Sequence, residues 1–145
     1  MKIKPLITFI LGVSFVTLQA CSGSNDQENK YFSKSEISTI LEEVISHPRR
    51  ELDMPRDEFR NPKETLEFFG ITPGMKVGEI WPGWYTQILA PYLNKIDGTY
   101  VAILRDGQSD RIQSRNRDFM EKYGNKKDYG TIEFSKFGSK TIAPA

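Results

Sequence analysis

Between Glu79 and Thr86 the chain reads Glu-Ile-Trp-Pro-Gly-Trp-Tyr-Thr, placing an acid, a glycine turn and three aromatic rings within eight residues. Ligands of open α/β sheets bind beyond the carboxyl ends of the strands, where backbone amides and acidic side chains converge. If Glu79 ends a strand and Gly83 opens the way into a helix, then Glu79, Pro82, Gly83, Trp84 and Tyr85 are candidates to cradle an adenosyl ligand, with its amino acid end close to the backbone. Asp106, after the next predicted strand, is placed to hydrogen-bond ribose hydroxyls, although Asp106-Gly107 is also ordinary turn chemistry. Trp81, Trp84 and Tyr85 have a competing role as core or rim aromatics, the commoner use of large rings. Arg56, Asp57 and Arg60 either clamp a ligand from the N-terminal side or form a solvated charged face.

The pattern around these residues supplies the elements to hold them. Ile37, Ile40, Leu41, Val44 and Ile45 recur at helical spacing, and Ser33 with Glu36 forms a capping box, predicting a helix from Ser33 to Ile45. Pro48 stops it, because the residue before a proline is pushed out of the α region. After a polar segment from Glu51 to Asn61, Pro62 fits the first turn of a second helix, and Gly70 fits its end. Thr72-Pro73-Gly74 turns into a buried strand, Met75 to Ile80. A helix from Trp84 to Leu93 follows, kinked or shortened by Pro91. Asp97-Gly98 leads into a second strand, Thr99 to Leu104, rich in β-branched and aromatic residues. Asp110 to Tyr123 is helical, and Gly130 to Phe137 is a third, weaker strand. Strands alternating with helices of this length imply parallel βαβ units with right-handed crossovers, hence an α/β layer fold.

The N-terminus has a different character. Lys2 and Lys4 precede an apolar run from Pro5 to Val16 that is too short to span a bilayer comfortably, the pattern of a cleavable export signal. Leu18-Gln19-Ala20-Cys21 resembles the lipobox of bacterial lipoproteins, in which the cysteine thiol takes diacylglycerol before cleavage. Residues 1–20 are then a signal peptide, and Cys21, the only cysteine, is the lipidated N-terminus; no disulfide within the chain is possible. Two or more acyl chains anchor stably, so the expected location is the cell envelope. Ser22 after the cysteine, by resemblance to Gram-negative lipoprotein sorting, points to the outer membrane facing the periplasm. Residues 21–30 are polar and predict a flexible tether. Residues 31–145 form one small domain.

Loss of Lys2 and Lys4 takes the formal net charge from +1 to −1, which supplies no electrostatic reason to expect nucleic acid. The cluster from Arg111 to Arg117 and the Lys126-Lys127 pair are interspersed with acids and predict solvated helix faces. His47 is the only histidine and, with Cys21 lipidated, no metal site is expected. Neither a P-loop nor a Gly-x-Ser-x-Gly elbow occurs.

Arg56-Asp57-Glu58-Phe59-Arg60-Asn61-Pro62, Glu64-Thr65-Leu66, Phe68-Phe69-Gly70, Pro73-Gly74-Met75 and the run from Glu79 through Leu93 together resemble a family of exported, predicted class I S-adenosylmethionine-dependent methyltransferases. The likeness covers roughly residues 48–145 and is most specific from Pro73 to Leu93. It implies a Rossmann-like class I methyltransferase fold, with S-adenosylmethionine as cofactor. The family pattern has extra glycines between Gly83 and Trp84, so this turn is shorter. A complete class I fold also continues past its third strand, so a domain truncated there is expected, its first strand left with an open edge able to pair with another chain. The alternative function is a non-catalytic envelope lipoprotein that binds a protein through that edge or through exposed aromatics.

Overall fold

A computed structural model describes residues 32–138; the predicted signal peptide, Cys21 and the tether lie outside the described residues. Helix α1 (Lys34–Ile45) starts where the capping box is formed, the Ser33 hydroxyl accepting from the Glu36 N–H and the Glu36 carboxylate accepting from the Ser33 N–H at 2.7 Å. Its Leu41 and Val44 are buried. A 3₁₀ turn at Pro48–Arg50 follows, and the predicted polar segment carries more structure than its composition implied: a second 3₁₀ turn at Met54–Arg56, then a single helical turn, α2 (Asp57–Arg60). The His47 Nδ1 accepts the Arg49 N–H and so caps the first of these turns. Helix α3 (Pro62–Phe68) opens on its proline, and Gly70 just beyond its end takes the left-handed backbone (φ 63°) that favours glycine.

Strand β1 (Lys76–Ile80), helix α4 (Thr86–Lys95), strand β2 (Thr99–Arg105), helix α5 (Asp110–Tyr123), a short α6 (Lys126–Tyr129) and strand β3 (Ile132–Phe137) complete the described chain. The three strands form one parallel sheet in the order β1-β2-β3, with Glu79 level with Ala102 and Ala102 level with Phe134. This is an α/β sheet with flanking helices, compatible with a Rossmann-like core. β2 lies between two neighbours and is buried from Tyr100 to Leu104. β1 differs from the buried strand expected from its sequence. Among the described residues it pairs only with β2, so Val77 is half-buried, while Ile80 is exposed.

Helix α4 is buried from Thr86 to Leu93, with β2 and α1 both packed against it. Ile88 and Leu93 are fully enclosed, and each contributes about 1.5–3 kcal/mol by leaving water. Pro91 lies inside this helix and neither ends nor shortens it. A proline removes the N–H that would reach the carbonyl four residues back. That carbonyl, on Gln87, instead accepts from Arg49 Nη2 at 3.1 Å, so the N-terminal segment supplies the missing donor. The core joins Leu41 and Val44 to Leu66, Ile71, Leu89, Tyr92, Ile96 and Tyr100. No helix among the described residues is long and apolar enough to cross a membrane.

Candidate functional site

The turn joining β1 to α4 is braced by a buried polar network. Alternation along β1 turns Glu79 toward α4, where one carboxylate oxygen accepts from the Gly83 N–H at 3.1 Å. The other accepts from the Thr86 hydroxyl at 3.0 Å and the Tyr100 hydroxyl at 2.6 Å. Burial pushes the Glu79 carboxyl above the ordinary glutamate range, partly opposed by these donors. Burial and the neighbouring Glu79 also push the Tyr100 phenol well above its usual value. Tyr123, pushed up to about 12 by burial and then by Asp53 and Glu79, donates its hydroxyl to the Gly83 carbonyl at 3.1 Å. Both backbone groups of Gly83 are therefore engaged.

A second cluster anchors the N-terminal segment on the same turn. Arg50 is fully buried; its guanidinium donates to both carboxylate oxygens of Asp57, at 2.7 and 3.1 Å, and to the Ile45 carbonyl. The Trp84 ring lies 5.3 Å from the Arg50 guanidinium and 4.9 Å from that of Arg60. Trp84 and Tyr85 pack edge to face at 4.9 Å, and the Tyr85 hydroxyl donates to the Arg60 carbonyl. Asp57 and Arg60 are thus built into the fold rather than forming a free charged face, while Arg56 is exposed. Within the cluster the Nε of Arg50 and the Nε1 of Trp84 are buried without a hydrogen-bond partner, an uncompensated desolvation cost.

Three clefts surround the turn and divide the predicted site residues other than Asp106 among them. The first, of about 580 Å³, lies between the carboxyl ends of β1 and β2 and helix α5; Trp81, Pro82 and Arg105 line it. The second, about 460 Å³ and mostly apolar, follows β1 and includes Glu79, Tyr85, Phe69 and Ile80. The third, about 350 Å³, includes Gly83, Trp84, Arg56 and Tyr123. Asp106 lines none of the three; its N–H donates to the Phe137 carbonyl, extending the β2–β3 ladder past its last residue.

Sequence reasoning passed over Arg50, Thr86 and Tyr100, which hold the turn, and it assigned Arg111 and Arg115 to a solvated face. Those two arginines are exposed and also line the first cleft. The available signal was their spacing: residues 111, 112, 115, 116 and 119 share one helix face, and that face mixes Arg with Ile and Phe. Among the described residues no cluster of three metal-ligating side chains occurs. The chain matches no protein-family model, no curated protein and no solved structure. What the fold and the clefts define is therefore a class: an α/β domain with a parallel three-stranded sheet and a ligand-sized cleft beyond its strand ends.

Proposed function

We propose that this chain is an S-adenosylmethionine-binding, methyltransferase-like domain, held at the cell envelope by lipid on Cys21. The observation that carries the reading is the position of the first cleft, beyond the carboxyl ends of two parallel strands and against the turn after the first of them. Its size falls within the roughly 300–1,000 Å³ range of small-molecule sites. Trp81, Pro82, Leu104 and Phe119 offer an apolar wall for the adenosyl part, and Arg105 offers a charge for the carboxylate of the amino acid end. When bound, the cofactor would supply an electrophilic methyl group. The residues of this chain bind and orient, while Glu79 and its three donors keep the turn in place.

Calorimetric titration of S-adenosylhomocysteine into the full-length protein in detergent micelles tests this reading. Saturable binding, lost in Trp81→Ala, is the expected result; no binding by a folded protein overturns it. The intact mass of protein extracted from membranes tests the anchor, since Cys21→Ala would abolish any acylated species.

A second reading, a non-catalytic module that binds a protein, is favoured by one observation. The edge of β1 that has no strand partner among the described residues borders the apolar second cleft, and Phe68 and Phe69 nearby are 86% and 66% exposed. A folded protein without cofactor affinity would move the balance to this reading.

A further inference from the structure

The first cleft has an electrostatic character that its position alone does not explain. Arg105, Arg111 and Arg115 line it, no acidic residue does, and none of the three arginines makes an ion pair among the described residues. Arg111 and Arg115 are four residues apart on α5, where like charges repel across one helical turn. The same helix face is fastened to the end of β2 by Asn116, whose side chain donates to the Arg105 carbonyl at 3.0 Å. At the mouth stands Trp81, 63% exposed, with the Arg105 guanidinium 5.8 Å from its ring centroid. Its backbone is left-handed (φ 54°), a conformation that costs a bulky residue energy, and it is held there while its N–H donates to the Ile103 carbonyl. Strain that displays a large ring beside unpaired guanidinium groups is an arrangement suited to a ligand with a flat ring and an acid group.

We propose that this cleft is an anion subsite: the guanidinium groups of Arg105, Arg111 and Arg115 take the acid group of a nucleoside derivative, carboxylate or phosphate, whose ring lies against Trp81. The identity of the ring rests on the adenosyl reading above; the acid recognition rests on the arginines alone. A bound acid neutralises the repulsion between Arg111 and Arg115, and guanidinium forks match both carboxylate and phosphate oxygens.

The test compares three probes by titration into the full-length protein in detergent micelles: S-adenosylhomocysteine, which has a carboxylate; adenosine monophosphate, which has a phosphate; and 5′-methylthioadenosine, which has neither. At least one acid-bearing probe is expected to bind about tenfold or more tightly than methylthioadenosine, as the loss of charge-assisted hydrogen bonds predicts. Arg111→Gln with Arg115→Gln is expected to erase that advantage, with circular dichroism unchanged because both positions are exposed. Binding of adenosine monophosphate without S-adenosylhomocysteine would uphold the anion subsite and overturn the methyltransferase reading. Equal binding of S-adenosylhomocysteine and methylthioadenosine, insensitive to the double substitution and with no binding of adenosine monophosphate, would overturn the subsite and leave the cofactor reading standing. No binding of any probe by folded protein would overturn both.

Discussion

Under the β1–α4 turn the charged groups are enclosed and bonded: Glu79 accepts three hydrogen bonds, and Arg50 is gripped by Asp57 and the Ile45 carbonyl. In the cleft against α5, Arg105, Arg111 and Arg115 are exposed and have no ionic partner among the described residues. Burying a charge costs several kcal/mol unless pairing and hydrogen bonds offset it, so the enclosed charges are committed to the fold. The exposed arginines cost little to keep in water and retain their capacity for a ligand. Substitutions in the first region should therefore change stability, and substitutions in the second should change binding.

The sharpest contrast comes from Asp57→Ala. It leaves the fully buried Arg50 guanidinium without its carboxylate, and breaking a buried pair in this way costs about 3 kcal/mol, the low end of the usual range because Asp57 is itself partly exposed. Urea unfolding should show that loss, whereas Arg111→Ala should stay within about 0.5 kcal/mol of the parent. Equal effects of the two would erase the distinction between the regions.

Much of this arrangement was legible in the sequence, and the gaps have physical causes. The capping box at Ser33 and Glu36 marked the start of α1, and α5 runs from Asp110 to Tyr123, the bounds expected of it. Pro91 does not shorten α4, and the donor for the carbonyl it leaves open, Arg49, lies in another segment where the helix pattern could not show it. Ile80 read as buried because Val77, Gly78 and Ile80 resemble a core strand, although the family resemblance implied an open edge on this strand. Glu79 was singled out as a cofactor-binding candidate, and in the structure its carboxylate accepts hydrogen bonds from within the chain. Its partners Thr86 and Tyr100 are 7 and 21 residues away, so only the folded chain shows what engages its carboxylate. Arg50 had no distinguishing mark beyond a proline two residues before it, since its burial depends on Trp84 and Asp57 arriving from elsewhere.

Glu79→Gln probes the bracing network at intermediate strength. It replaces one acceptor oxygen of the network with an amide NH₂, a donor set among donors, and should cost about 1–2 kcal/mol. The folded-state carboxyl titrates above its ordinary value of 4.5, so the native state holds its proton where the unfolded state has lost it. Stability from this group is fully present below 4.5 and is lost as pH rises through the raised folded value. The penalty of Glu79→Gln relative to the parent should therefore shrink across that window, as urea midpoints measured at successive pH values would show. A penalty that grows with pH would contradict the sign of the shift. Tyr123→Phe removes only the hydroxyl that donates to Gly83 and should cost about 1 kcal/mol.

The smallest effect concerns Lys76 on β1 and Glu133 on β3, whose side chains meet at 2.8 Å across the intervening strand. Both are about half exposed, so water screens the pair, and a double-mutant cycle with Lys76→Ala and Glu133→Ala should yield about 0.2–1 kcal/mol. That coupling should fade in molar salt, where the screening length falls to about 3 Å. The Asp57→Ala penalty should keep most of its size there, because the partner it strands is buried. A pair that spans the sheet yet contributes so little shows that distance alone does not distinguish structural charges from available ones. Enclosure does, and the salt series measures it directly on two ion pairs whose shortest contacts differ by only 0.1 Å.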